Sequence, residues 1–241
     1  MLKQEQLEEL VVRSQTSRIN VYREYCQHLF LSALYSQPKT AAVLFKGGTA
    51  LRVAYQSPRY SEDLDFTLFS ISNRELEDII LAVSDDLEKT NLNHKIEEAK
   101  ETTGGYLANL AIKLYQEKLT ISIQASRRKK NDRKPNVQLI RNDFIPPYTV
   151  LLLPEKELIE EKVQAALTRA KPRDFFDVYF LLRQGKIPVN LRSKLQPLIK
   201  IIEKNKLDFK PLANYLPASM TALANDFKNS LITEIGRFGY G

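Results

Sequence analysis

Between Lys46 and Phe66 the chain reads KGGTALRVAYQSPRYSEDLDF, and its reactive residue types fall into two groups. The first is Gly47-Gly48-Thr49. Paired glycines let the backbone turn sharply and come close to a ligand. Where a helix follows such a turn, its unpaired amides and positive dipole end favour a phosphate. The Thr49 hydroxyl can add a hydrogen bond. The pattern lacks the spaced glycine and the Gly-Lys-Ser/Thr ending of a Walker loop, and by itself it also suits a plain strand-to-helix turn. The second group is Ser61, Asp63 and Asp65, which alternate. On a strand these three share a face, with the two aspartate alpha carbons about 6.5–7 Å apart, while Leu64 and Phe66 face the core and Glu62 is peripheral. Adjacent carboxylates repel and raise each other's pKa unless a cation sits between them. A divalent ion there is what phosphoryl transfer requires. Asp-Leu-Asp alone also describes a solvated acidic strand end; the glycine turn just upstream favours the metal reading.

These residues need elements to position them. Residues 3–35 carry apolar positions at helical spacing, among them Leu7, Leu10, Tyr22, Tyr25 and Leu29. Ala41 to Phe45 reads as a short strand that ends at the glycine turn, Thr49 to Tyr55 as a helix, and 61–69 as a second strand. Residues 73–90 are amphipathic. Ala108 to Tyr115 and Leu119 to Ile123 read as paired strands, and Thr149 to Leu153 as a further strand closed by Pro154. From Glu155 onward the pattern is helical, interrupted at Pro188, Pro197, Pro211 and Pro217. The expectation is an α/β (α+β) protein: a small mixed-sheet core with N-terminal helices over 1–154 and a helical domain over 155–241.

Composition bounds the chemistry. The chain has 241 residues, 43% hydrophobic and 27% charged, which suits a folded globular protein. A net charge of +7 favours a polyanionic partner. Cys26 is the single cysteine, so no intrachain disulfide forms, and it reads as a packed thiol. With His28 and His94 as the only histidines, a zinc-type ligand set cannot be assembled. A metal here is carboxylate-bound Mg²⁺ or Mn²⁺. The N-terminus lacks the apolar stretch of a signal peptide and no apolar run approaches a bilayer's thickness, so no membrane partner is expected and the cytoplasm is the default location.

The glycine turn, short helix and acid-x-acid strand together resemble the first motif of the polymerase-beta-like nucleotidyltransferase superfamily. More narrowly, Gly47-Gly48-Thr49-Ala50-Leu51 followed by Arg59-Tyr60-Ser61-Glu62-Asp63-Leu64-Asp65-Phe66 resembles the AbiEii/AbiGii nucleotidyltransferase toxin family. A second block, Glu161 to Arg169 followed by Arg173-Asp174-Phe175-Phe176-Asp177-Val178-Tyr179, is similar to that family's later lysine and Arg-Asp-x-x-Asp motifs. The resemblance covers roughly residues 40–183. It implies a toxin of a toxin–antitoxin or phage-defence system that transfers NMP from a nucleoside triphosphate to RNA, with tRNA the expected acceptor and an antitoxin protein a possible partner. It implies that Gly47, Gly48 and Thr49 hold the triphosphate, that Asp63 and Asp65 hold Mg²⁺, and that Lys162 contacts the triphosphate; Ser61, on the face of the two acids, can contact a phosphate as well. Asp174 or Asp177 would complete the site, as base or as lysine partner. The residues alone support part of this. On a helix over 157–170, Lys162, Ala166 and Arg169 share a face, which would offer positive charge while Leu158, Val163 and Leu167 pack. Asp174 equally suits a helix cap, and Asp177 an arginine partner.

One departure stands out. Many enzymes of that superfamily carry a third carboxylate on a later strand, whereas Thr120, Ser122 and Gln124 fill the polar face of the corresponding segment here. Either two aspartates and the substrate's phosphates suffice, or a second metal binds weakly. The rivals are transfer to a protein or small molecule, and a non-catalytic nucleotide- or RNA-binding module. The basic run Arg127 to Lys134 would suit an RNA backbone or a solvated loop, with Tyr106, Tyr115 and Tyr148 as candidate base-stacking side chains. Lys200, Lys204, Lys206 and Lys210 read as solvated surface.

Overall fold

The fold is described from a computed structural model over residues 1–128, 134–205 and 207–238. The helices and strands run α1 (Gln4–Ser14), α2 (Arg18–Ser36), β1 (Val43–Lys46), α3 (Gly47–Tyr55), β2 (Leu64–Phe69), α4 (Asn73–Lys89), β3 (Asn93–Thr102), β4 (Gly105–Leu114), β5 (Glu117–Arg128), β6 (Asn136–Ile140), β7 (Tyr148–Leu152), α5 (Glu155–Thr168), α6 (Pro172–Arg183), α7 (Val189–Arg192), α8 (Gln196–Asn205), α9 (Thr221–Asn225) and α10 (Phe227–Phe238). They form two compact units. One comprises Met1–Gln56 and Tyr60–Pro154; the other runs from Glu155 onward and includes Ser57–Arg59.

In the first unit the described strands make one seven-stranded mixed sheet, ordered β3-β4-β5-β2-β1-β7-β6. β2 is central: it runs antiparallel to β1 and parallel to β5. Alternation produces this sheet. Leu64, Phe66 and Leu68 of β2 are buried, as are Leu119, Ile121, Ile123 and Ala125 of β5. Helix α2 packs on β5 and β7 through a buried stripe that includes Tyr22, Tyr25, Phe30, Leu31 and Leu34. Its start is fixed by Ser17, whose hydroxyl accepts from the Asn20 amide. Helix α4 opens on a reciprocal cap between Ser72 and Glu75 and buries Leu76, Ile79, Ile80, Val83 and Leu87.

The acidic strand is shorter than its alternation suggests. β2 starts at Leu64, so Asp63 stands just before it. On the β1 side the ladder ends where Lys46 pairs with Asp65 and the chain turns into α3 at Gly47; on the β5 side it ends where Leu64 pairs with Ile123. The Gln27 amide takes the place of a ladder there, donating to the Ser61 and Glu62 carbonyls at 3.0 and 3.1 Å. Likewise Thr40–Ala42 forms a 3-10 turn, and the strand expected from Ala41 begins at Val43.

The second unit is helical among its described residues. Leu158, Ile159 and Val163 of α5 are buried, as are Phe175, Phe176, Leu181 and Leu182 of α6, with Leu198, Ile202, Leu231 and Ile235 from α8 and α10. Phe176 stacks on Phe227 at 5.6 Å, and Phe209 lies 5.1 Å from Phe227. Such ring pairs add to what burial alone contributes.

Candidate functional site

The first unit brings the glycine turn and the acidic strand together. Helix α3 begins at Gly47, and Lys46 provides no side-chain cap, so its opening amides depend on other partners. Gly47 has φ +84°, a conformation that disfavours any side chain. It also faces a carboxylate: a Cβ placed on Gly47 would lie 2.1 Å from Asp65 Oδ2. The glycine is therefore required twice, once by its backbone and once by the acid seated against it. An anionic group at a helix start is favoured by the helix dipole. Thr49 is fully buried and its hydroxyl donates to the Asp63 carbonyl, fixing the helix to the segment that carries both acids. Ser61 and Glu62 are half-buried, and Glu62 pairs with Arg23 at 3.3 Å.

Asp63 and Asp65 are each partly exposed, one on either side of buried Leu64. Among the described residues no group of three or more His, Cys, Asp or Glu side chains gathers at one point. Two partly exposed carboxylates are a donor set that a hard cation would accept, with the rest of its oxygen ligands to come from outside this pair. In the neighbouring strand Gln124 is level with Asp65, so an amide occupies the place beside it. On that side lies a cavity of about 250 Å³, lined by Lys46, Asp65, Gln124 and Ser126 together with the β3–β4 turn. Lys46 was not singled out from sequence. Its Nζ donates to Ser126 Oγ at 2.8 Å.

In the second unit the later motif forms a buried ionic cluster. Asp177 accepts from Lys162 Nζ at 2.7 Å and from Arg59 Nε at 2.9 Å, with a further Arg59 contact at 2.8 Å. Burial raises the Asp177 pKa, but Arg59 and Lys162 outweigh it and hold the carboxyl below its ordinary value. Asp174 is buried at the start of α6. It accepts from the Lys171 amide at 3.3 Å and from Arg169 at 2.6 Å. The cap and the arginine pairing that the sequence left open are therefore both present. Lys162 and Ala166 are buried with Leu158 and Val163, whereas Arg169 is exposed. Arg59 follows the Ser-Pro turn, and only three-dimensional contact links it to Asp177.

Other candidates are engaged elsewhere. Tyr106 donates to Glu77, Tyr115 to the Leu2 carbonyl, and the Tyr148 hydroxyl is 2.7 Å from His28 Nδ1, so all three tyrosine hydroxyls are tied into the first unit. Arg127 donates to the Ile71 carbonyl and to Asn73 Oδ1. Residues 129–133 of the basic run, and Lys206, lie outside the described residues. No helix among the described residues is long and apolar enough to cross a membrane.

The family model described as nucleotidyl transferase AbiEii toxin, type IV toxin–antitoxin system, matches residues 29–231. Among the solved structures that share the fold are two from Helicobacter pylori. JHP933 from Helicobacter pylori is 21% identical with a TM-score of 0.65 over 93% of each chain. A candidate nucleotidyltransferase from the same species is 20% identical, with a TM-score of 0.66 over 92% of this chain and 96% of that one. No curated protein matches the chain.

Proposed function

This chain belongs to the AbiEii family of nucleotidyl transferase toxins of type IV toxin–antitoxin systems, and on that footing we propose that it transfers NMP from a nucleoside triphosphate to an RNA hydroxyl, with tRNA the acceptor class. The observation that carries this reading is the Asp65 carboxylate seated against the Gly47 turn. It sets a carboxylate oxygen that would suit a cation beside helix-start amides that would suit a phosphate.

In this reading Gly47 and Gly48 present the amides that hold the triphosphate. Thr49 acts through its bond to the Asp63 carbonyl, keeping amides and acids in register, and Ser61 borders the phosphates. Asp63 and Asp65 would hold Mg²⁺ or Mn²⁺, which when bound offsets charge on the triphosphate and the departing pyrophosphate. The acceptor hydroxyl oxygen bonds to the α-phosphorus as the bond to the α–β bridging oxygen breaks; pyrophosphate leaves with the electron pair and the hydroxyl proton passes to solvent. The assignment of Lys162 to the triphosphate rests on the family resemblance, and that of Arg169 on the helix face it shares with Lys162. Asp177, buried and held ionised by two cations, suits the partner that orients Lys162 rather than a base, since a carboxylate with a depressed pKa is a poor proton acceptor. Asp174 plays the corresponding part for Arg169. The cognate antitoxin of such a system is the expected genetic partner.

Incubation with total tRNA, Mg²⁺ and each labelled nucleoside triphosphate in turn tests this. Label on RNA with one or more nucleotides is expected; no label with any of the four overturns it. The amide of Gln124 beside Asp65 favours one competing reading, a nucleotide-binding module without turnover. Calorimetric binding of a triphosphate with Mg²⁺, without label transfer to RNA, protein or small molecules, would select that reading.

A further inference from the structure

Asp63 and Asp65 reach their places by different means. Asp65 is fixed by two ladders, opposite Lys46 on β1 and Gln124 on β5. Asp63 lies beyond the end of both. In their place, side chains take the three consecutive carbonyls of Ser61, Glu62 and Asp63. Gln27 on α2 donates from Nε2 to the first two at 3.0 and 3.1 Å, and Thr49 on α3 donates to the third. A carboxamide nitrogen carries two hydrogens, and these two bonds use both. Gln27 is 1% exposed and Thr49 fully buried, so close packing keeps either side chain from swinging away.

Helix α2 holds the phosphate-turn side as well. Glu24, one turn before Gln27, binds Arg52 of α3 through both carboxylate oxygens, at 2.6 Å to Nε and 3.2 Å to the terminal nitrogen. Positions three apart share a helix face. One face of α2 therefore grips both the helix that follows the glycine turn and the segment that carries Asp63. Both side chains are buried, and a buried polar group is tolerated only when its bonds are made. The Glu24 pair joins the two helices. The Gln27 bonds go elsewhere, to the carbonyls directly before Asp63. Two carboxylates on either side of a buried leucine can share a cation only while their spacing holds. The ladders set it for Asp65; for Asp63 it depends on these side-chain bonds.

Resting on the metal assignment within the nucleotidyl-transfer reading, we infer that Gln27 is a positioning residue for the cation: it sets Asp63 against Asp65 through the Ser61 and Glu62 carbonyls and touches neither metal nor nucleotide. The fold does not depend on it, because Ser61 and Glu62 are half-buried and water can replace the lost donors. The test uses the full chain and two variants. Gln27→Met keeps the bulk and removes both donors; Gln27→Asn keeps the carboxamide on a side chain one methylene too short. Mn²⁺ binding in the presence of a nonhydrolysable nucleoside triphosphate is followed by electron paramagnetic resonance, stability by the thermal midpoint, and label transfer to RNA across a Mg²⁺ series. The expected result is an Mn²⁺ dissociation constant raised about tenfold or more, as when a group supporting a metal ligand is lost, with the midpoint within a few degrees of the parent. Half-saturating Mg²⁺ rises in step and the parental rate returns at saturating Mg²⁺, which a merely structural defect would not allow. Parental Mn²⁺ affinity in either folded variant, or a rate that stays low at saturating Mg²⁺, overturns the inference and leaves the metal assignment standing. If both variants melt far below the parent, Gln27 is structural and the inference falls. No Mn²⁺ bound by the unaltered protein with the triphosphate ends the metal assignment and this inference together.

Discussion

Asp63 and Asp65 differ in what supports them. Asp65 belongs to a strand paired on both sides, while Asp63 is held by its own carbonyl, through Thr49. Replacing either with Ala removes charge from partly exposed positions, so the fold should persist. We expect Asp63→Ala and Asp65→Ala each to abolish label transfer while the thermal midpoint stays within a few degrees; full activity in both would refute the metal assignment. Gly47 is less tolerant. Gly47→Ala combines a left-handed backbone, costing on the order of 1–3 kcal/mol, with a methyl that must displace the Asp65 carboxylate. Loss of transfer together with a lower thermal midpoint is expected; a variant that melts and works like the parent would show that the contact is dispensable. The turn and the acid pair were legible in sequence as neighbours because glycine and acid types at fixed spacing mark a turn followed by an acidic strand. Lys46 was not, since a lysine ending a strand looks the same whether it meets solvent or crosses to Ser126.

At the scale of elements, pairing and burial decided what local pattern could not. β3 (NHKIEEAKET) is rich in charged residues and helix formers and shows little apolar alternation; β4 alone makes it a strand. Asp63 reads as strand by alternation and yet precedes β2, because the ladder to β1 ends at Asp65 and the ladder to β5 ends at Leu64. In α6 the pattern is locally consistent, and its acid pair acquires distinct roles from its neighbours. Asp177→Asn leaves Arg59 and Lys162 buried without the carboxylate between them, a loss on the order of 3–5 kcal/mol for a broken buried pair. Chemical denaturation should register it, and a change under about 1 kcal/mol would contradict the role given to this cluster. In α2, His28 lies against the Phe144 and Tyr148 rings, with its Nδ1 on the Tyr148 hydroxyl. Burial, with a smaller push from Arg52, lowers its pKa from 6.5 to about 3. The unfolded chain therefore binds a proton that the folded one refuses. This contribution is whole above about pH 6.5 and is lost as pH falls toward 3, by up to about 1.4 kcal/mol per pH unit. His28→Gln should flatten the fall in melting temperature between pH 7 and pH 5; an unchanged slope would mean that His28 is not its source.

For the whole molecule, the mixed α/β architecture followed from a switch in periodicity near Pro154, where alternation gives way to helical spacing. The sheet's strand order did not follow, because it depends on pairings between segments as distant as β2 and β5. Nor does anything in Ser57-Pro58-Arg59 mark it as part of the later unit, yet Arg59 supplies two of the cations' contacts to Asp177 on α6. The chain leaves the sheet unit after α3, contributes three residues to the helical unit, and returns to lay down the acids. The halves are sewn together rather than strung in series. A deletion product ending at Pro154 would strand the Arg59 guanidinium without its counter-ion, in the very connection that spaces the glycine turn from Asp63. Such a fragment should expose that connection to trypsin at Arg59 in limited proteolysis, where the intact chain resists. Equal resistance in both would mean that the stitch bears no strain, and that gene fusions or split versions of this toxin can safely be cut there.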